Sequence, residues 1–403
     1  MNRLFKDSGV EWIGKIPQHL SVIKIKKIAE IKSGEYVSKE LYNDDGEYDI
    51  IGSNGKIGKI NKYNNTEEVI TTGRVGTIGS CRIVKKCWIT DNTLILKVNN
   101  KIRNKYLYYT LPNIDYKFIS SGTAQPLITA TNLKNQYIPF CSLEEQDKII
   151  DYLDRKLIII DEVIKNTAKL IQEYKKYKYE LITKCVTKGI NKDVQMKSTW
   201  VDWIGKIPED WEYMRLKYIF SIKKDIAGKE GFDILSVTQS GLKIKDISKN
   251  EGQISADYSK YQIVEKGDFV MNHMDLLTGW VDCSKYYGVT SPDYRVFKFK
   301  NPELYSPEYY TYIMQICYKN KIFYGLGQGV SNLGRWRLQT DKFLNFMLPV
   351  PPKDEQEQIV NYLDTKCIEI DNIIEQKQKL LIEMEAYKKS LIYECVTGKR
   401  EVK

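Results

Sequence analysis

The chain has 403 residues, a formal net charge of +10, 42% hydrophobic and 28% charged residues, a balance that supports cored globular domains and excludes a disordered chain. No apolar run approaches the roughly 20 residues of a membrane span, and the opening MNRLFKDSGVEW lacks a signal-peptide core, so a soluble, cytoplasmic protein is expected. Two histidines, His19 and His273, and eight cysteines without a C-x-x-C pair speak against a histidine-based metal centre, a Ser-His-Asp triad, a zinc ribbon and a thioredoxin motif.

In chain order, the first recognisable element is a short leader, VEWIGKIP at 10–17. YDIIGSNGKIGKI (48–60), EEVITTGRVGTIGSCRIVKKCWIT (67–90) and NTLILKV (92–98) follow, β-branched runs cut by Gly, Asn and Ser. Such runs predict a small twisted sheet with tight turns. KYLYYTL (105–111) reads as an aromatic helix and SSGTAQPLITATNLKN (120–135) as a loop. After Pro139, apolar residues at steps of three and four (Ile149, Leu153, Ile160, Ile164 among them) predict one long amphipathic helix ending at Gly189.

The order then repeats. VDWIGKIP stands at 201–208, β-rich segments at 232–244 and 267–280, and an aromatic helix, EYYTYIMQICY, at 308–318. A loop, GLGQGVSNLGRWRLQTDKF (325–343), precedes a second long helix whose stripe includes Leu363, Ile370, Ile374 and Leu381 and which ends at Gly398. EQDKIIDYLD at 145–154 returns as EQEQIVNYLD at 355–364, and ITKCVTKG at 182–189 as IYECVTGK at 392–399. Matches of this length, twice in the same order, mark an internal duplication. The chain divides into 1–143, a block with its leader; 144–190, a long helix; 191–352, a second block with its leader; and 353–403, the second helix. The fold class is α+β: two mixed blocks with small twisted sheets, and two long helices. Forty residues of helix span about 60 Å. A stripe of that length in each half favours the two helices packing on each other, the other reading being that each covers its own block.

Catalytic signatures are missing. No Gly-Lys pair is followed by Ser or Thr, so no P-loop is present. Neither an Asn/Asp-Pro-Pro-aromatic methyltransferase motif nor a nuclease carboxylate cluster after Pro292-Asp293 occurs. A non-catalytic chain is expected. The loop GRVGTIG at 73–79 reads either as a tight β-turn or as a probe whose Arg74 and Thr77 reach a DNA groove. Asn272, His273 and Thr278 stand in a similar position in the second half, where His273 reads as a base contact or as a core or turn histidine. The loops before the long helices pair glycine flexibility with Gln125 and Gln328, and the second adds Arg335 and Arg337. Arg and Gln make bidentate contacts to guanine and adenine edges; a plain surface loop is the other reading.

Taken together, WIGKIP at both leaders, TGRVGTIG, SGTAQPLI…LKNQYIPF…LEEQDKIIDYLD, GDFVMNHM…TGWV…SPDYRVF and GQGVSN…LPVPPKDEQEQIVNYLD resemble the specificity (S) subunit of type I restriction–modification systems over nearly the whole chain. The resemblance implies two target recognition domains, each reading half of a bipartite, asymmetric double-stranded DNA target. It also implies two antiparallel helices related by a pseudo-twofold axis, which set the spacer and dock two methyltransferase (M) subunits. This chain would hold no cofactor and no metal. S-adenosylmethionine would belong to the M subunits, which methylate adenine, and ATP and magnesium to the restriction (R) subunits. Lys56 and, in the SPDYRVF motif, Arg295 complete the expected DNA contacts with Arg74, Thr77, Gln125, Asn272, His273, Gln328, Arg335 and Arg337. Ile149, Leu153, Ile160, Ile164, Leu363, Ile370, Ile374 and Leu381 form the expected helix interface. Residue 353, Lys, departs from the apolar residue that usually follows the prolines. A fused nuclease or methyltransferase, and a scaffold that has lost its partners, are the rival classes.

Overall fold

The computed structural model describes residues 3–116, 118–120, 126–246, 255, 257–327 and 336–402. It contains two compact units, Met1–Ala168 with Lys379–Lys403, and Lys169–Gln378.

In the first unit the leader folds into a hairpin, Phe5–Asp7 against Lys15–Pro17. Gly14 turns it at φ +66°, a conformation that costs a residue with a Cβ. The central sheet has four antiparallel strands: β1 (Ala29–Ser33), β2 (Val69–Gly73), β3 (Cys81–Val84) and β4 (Thr93–Val98), in the order β1-β4-β2-β3. Runs such as Val69-Ile70-Thr71-Thr72 suit a pleated, covered surface, and every residue of β2 is buried. A side sheet of Gly55–Ile60, Tyr48–Gly52 and Trp88–Ile89 has a small core of its own around Val37, Ile50 and Ile60. Helix α1 (Asn104–Thr110) covers the main sheet, and the 46-residue helix α2 begins at Leu143 and runs to Lys188. The main core joins Ile70, Leu94 and Leu96 of the sheet, Tyr106 and Leu107 of α1, and Ile149, Leu153, Leu157 and Ile160 of α2. Leu391, Cys395 and Val396, from the far end of the chain, complete it.

The second unit repeats the plan with other residues. Its leader hairpin pairs Met196–Ser198 with Lys206–Pro208. The sheet has β5 (Phe220–Lys223), β6 (Phe269–Met271), β7 (Val281–Cys283) and β8 (Arg295–Phe299), in the order β5-β8-β6-β7, again antiparallel. Its core is aromatic where the first is aliphatic: Phe220 packs edge-on to Phe297 and stacks on Phe299 with centroids 4.9 and 4.7 Å apart. Helix α3 (Pro307–Lys319) lies in this core, its N-terminus capped by Ser306. Helix α4, Lys353–Val396, has 44 residues and starts in this unit.

Both long helices end at a left-handed glycine. Gly189 (φ +74°) and Gly398 (φ +69°) turn the chain out of the helix and bond back to Cys185 O and Cys395 O. Each helix is shared between the units, so the compact units do not follow the division at 143/144, 190/191 and 352/353. The reason is burial: the first turns of each helix pack on the block that precedes it in sequence, and the last turns complete the core of the other block.

Within each unit the two helical segments run antiparallel. In the first, Arg400 lies beside Tyr152 while Lys388 pairs with Asp161 at 2.5 Å. In the second, Lys377 lies over the Tyr174 ring and Lys178 pairs with Asp371 at 2.6 Å. The two ion pairs are images of one another under the duplication, since Lys388 and Asp371 stand 210 residues after Lys178 and Asp161. Of the stripe residues, Ile149, Leu153, Ile160, Leu363, Ile370 and Ile374 are buried, Ile149, Leu153 and Ile160 in the first unit's core and Leu363 in the second's, and Ile164 and Leu381 are half-buried.

Candidate nucleic-acid interface

The duplication extends to the hydrogen bonds that lock each block onto the helices. Gln146 and Gln356, near the starts of α2 and α4, are wholly buried. Their Oε1 atoms accept from the backbone N–H of Arg103 and Ser306, the N-caps of α1 and α3, each at 2.8 Å. Their Nε2 groups donate to Cys141 O and Pro351 O. Tyr106 and Tyr309, in α1 and α3, send their hydroxyls to Val396 O and Val186 O at 3.0 and 2.8 Å, the carbonyls at the ends of α4 and α2. One turn further on, Tyr109 and Tyr312 donate to Asp154 and Asp364 at 2.5 and 2.6 Å. These six residues position the blocks, and single-residue motif reading missed them; their recurrence at matching places in the repeat was the available signal.

On that frame, each block projects a loop from the C-terminal end of its most buried strand. In the first unit, β2 ends at Gly73. The loop 74–80 is held on both sides: Arg74 N–H donates to Asn92 O, Ile128 N–H to Arg74 O at 2.9 Å, and Gly76 N–H to Pro126 O. Gly76 and Gly79 have positive φ, +72° and +76°. Gly73 does not; it is glycine because a Cβ there would lie 2.0 Å from Thr77 O. Thr77 is exposed at the loop tip. The half-buried Arg74 guanidinium reaches Ser33 Oγ at 3.4 Å and Asp91 O at 3.3 Å, and its Nε has no partner among the described residues.

In the second unit the same frame carries different side chains. Leu338 N–H donates to His273 O at 2.9 Å and Asn272 N–H to Trp280 O, where Ile128 met Arg74 and Gly73 met Ser80. His273 therefore stands at the place of Arg74. Asn272 is half-buried and its side chain turns back to Met274 N–H. Thr278 is exposed and bonds Asp275. The His273 ring is buried. That burial, reinforced by the charges of Arg295 and Arg337, pushes its pKa down to about 3, so the imidazole is neutral at physiological pH. Arg295, at the start of β8, is also buried rather than on the surface, because its place in the β8 alternation turns it inward. It donates to Leu338 O at 3.0 Å and Thr340 Oγ1 at 3.3 Å, lies 4.5 Å above the Phe343 ring, and is pushed down to about 10 by burial. Arg337 is exposed.

Of the remaining expected contacts, Lys56 is an exposed strand residue paired with Asp49 at 2.6 Å, and Gln125, Gln328 and Arg335 lie outside the described residues. Lys224, exposed beside His273, was not singled out from the sequence; nothing local distinguishes it from other surface lysines. The thiols of Cys81, Cys87 and Cys185 are pushed up to about 11 and those of Cys141, Cys283 and Cys395 to about 12, in each case chiefly by burial. They are core groups, not nucleophiles. Among the described residues no group of three or more His, Cys, Asp or Glu is placed to hold a metal ion, and no helix is long and apolar enough to cross a membrane.

The chain matches the family described as the type I restriction modification DNA specificity domain over residues 17–175 and 208–384, one match in each repeat. It is 26% identical over 428 residues to the type I restriction enzyme MjaVIII specificity subunit of Methanocaldococcus jannaschii, spanning 96% of this chain and 95% of that one. Similarity to the type I restriction enzyme EcoBI specificity subunit of Escherichia coli is 21% over 74% of this chain and 66% of that one. Among solved structures, one from a study of complex assembly and conformational transition of the type I R-M system shares the fold with a TM-score of 0.68 at 12% identity, over 96% and 99% of the two chains. The HsdS subunit of Thermoanaerobacter tengcongensis shares it with a TM-score of 0.52 at 12% identity, over 98% and 100%.

Proposed function

Since the chain belongs to the type I restriction modification DNA specificity family, as a specificity subunit, we propose that each of its two blocks reads one half of a bipartite, asymmetric target in double-stranded DNA. The observation that carries this reading is the shared frame with unlike side chains. Arg74 and His273 hold equivalent backbone positions, each fixed by an equivalent hydrogen bond from Ile128 or Leu338. A rigid sheet with a pinned loop presents side chains to a groove in a defined place, and changing the side chains changes the base pattern that fits. Two unlike loops call for two unlike half-sites.

The paired helices then set the unread spacer and dock two methyltransferase subunits, with restriction subunits joining the same assembly. The chemistry lies with those partners. The methyltransferase subunits bind S-adenosylmethionine and methylate adenine; the restriction subunits use ATP and magnesium. The specificity chain carries no cofactor and no catalytic residue of its own, and acts in the cytoplasm, where the chromosome is.

The test is co-expression with a type I methyltransferase subunit from the same genome, followed by single-molecule sequencing of methylated adenines. The expected outcome is one split motif, methylated once on each strand. Arg74→Ala should lower methylation of that motif and leave assembly with the methyltransferase intact. Methylation of an unsplit motif would refute the two-block reading, and unchanged methylation by Arg74→Ala would refute the role of the loop.

A further inference from the structure

A cavity of about 190 Å³ in the second unit opens beside β5 and the start of β8, next to the His273 turn and residues 337–340. Arg295, Arg337, His273, Lys224, Gln262 and Thr340 line it, and no Asp or Glu does so among the described residues. Arg295 is only 4% exposed. Its Nη2 is committed to Leu338 O and Thr340 Oγ1, whereas its Nη1 is buried with no partner among the described residues. Phe343 lies under the guanidinium plane, so the unsatisfied capacity is in the plane of the fork. His273 Nδ1 is likewise buried, with no partner among the described residues. Lys223, which also lines the cavity, is different: Asp268 and Glu265 neutralise it at 2.9 and 2.7 Å.

A buried guanidinium with a free N–H and no counter-charge is costly, and an oxyanion meets both needs at once. The charged groups available around it are donors: the free Arg295 N–H, the exposed Arg337 guanidinium and the exposed Lys224 ammonium. Gln262 has already given its amide N–H groups to Ser291 O, Pro292 O and Tyr294 O. A donor-rich cavity suits phosphate oxygens, which only accept, better than a base edge that mixes donors and acceptors.

We propose that this cavity seats one phosphate group of a nucleic-acid backbone, gripped by the free edge of Arg295 and by Arg337, with Lys224 beside them. The source of the phosphate rests on the DNA-reading role proposed above. On this assignment Arg295 and Arg337 set the register of the second block on the duplex, and base discrimination falls to neighbouring loops.

The chain has only His19 and His273, so imidazole NMR reads two rings, one beside the cavity and one in the other unit. The full-length chain, labelled at histidine, is titrated with inorganic phosphate and, separately, with a duplex of random sequence. The His273 signal should move saturably with both, while His19 moves with neither. In parallel, duplex affinity is measured between 50 and 200 mM salt. Arg337→Gln should reduce the salt slope by about one, so the wild-type advantage shrinks about three- to fourfold across that range. A His273 signal that stays fixed while duplex still binds would overturn the seat and leave the DNA reading standing. A response to inorganic phosphate with no duplex binding would make this a free-anion site and count against the DNA reading instead. A response to duplex alone, with the salt slope of Arg337→Gln unchanged, would give the cavity to a base edge and refute the phosphate.

Discussion

Replacing Tyr309 by Phe removes one hydroxyl and leaves the ring, so its edge-on contact with Tyr310 and its place in the core are retained while a single hydrogen bond is lost. That bond is 2.8 Å long and joins Tyr309 to Val186 O, and both residues are fully buried. Val186 lies two residues before the end of α2 at Lys188, among the last carbonyls that a helix leaves without an intrahelical partner. With the hydroxyl gone, its oxygen is stranded in the core, which costs about 1–3 kcal/mol. If the last turn of α2 opens locally, amide exchange there accelerates by that amount, about 5- to 150-fold. Hydrogen-exchange mass spectrometry of peptides covering residues 183–188, compared between wild type and Tyr309→Phe, reads this directly. Tyr106→Phe should do the same to residues 393–396, where its hydroxyl meets Val396 O. Exchange unchanged within twofold in both variants would show that the tyrosines do not fasten the helix ends, and the reasoning from repeated hydrogen bonds would fail.

Leu153→Ala and Leu363→Ala remove repeat-related side chains that are fully buried in the two cores; each should cost about 2–5 kcal/mol in denaturant unfolding, and a cost below 1 kcal/mol would show cores less tightly packed than described. The ion pairs Lys178–Asp371 and Lys388–Asp161 are partly exposed, so Lys178→Asp should cost only about 0.2–1 kcal/mol, falling at high salt and recovered by adding Asp371→Lys. His273 is held neutral by a pKa of about 3 in the fold, below its unfolded value. Its contribution to stability is therefore complete above pH 6.5 and is lost as pH falls toward 3. Between pH 6 and pH 5 that loss is about 1 kcal/mol. His273→Gln should flatten the pH dependence of unfolding by that amount, and an unchanged slope would place the ring in water.

The sequence by itself determined what local pattern encodes. An apolar step of three and four residues, opened after proline and stopped at Gly189 and Gly398, dictates a long helix wherever it lies, because periodicity and a left-handed cap are properties of neighbouring residues. The duplication was equally legible, since matching strings need no structure. Which block each helix end completes was not, and only the tertiary structure decided it. Tyr106 meets Val396 across 290 residues, a pairing that follows from chain path and carries no local mark. The candidate site divides in the same way. Arg74 and Thr77 stand out because the glycines around them demand a turn. Arg295 sits on a strand where adjacent side chains point to opposite faces, and its motif does not say which face is covered. Its burial under Leu338 and over Phe343, its free N–H, and the equivalence of His273 with Arg74 all follow from strands and loops brought together from distant parts of the chain. The physical reason is that an unsatisfied buried donor is defined by everything around it, and those surroundings exist only once the chain has folded.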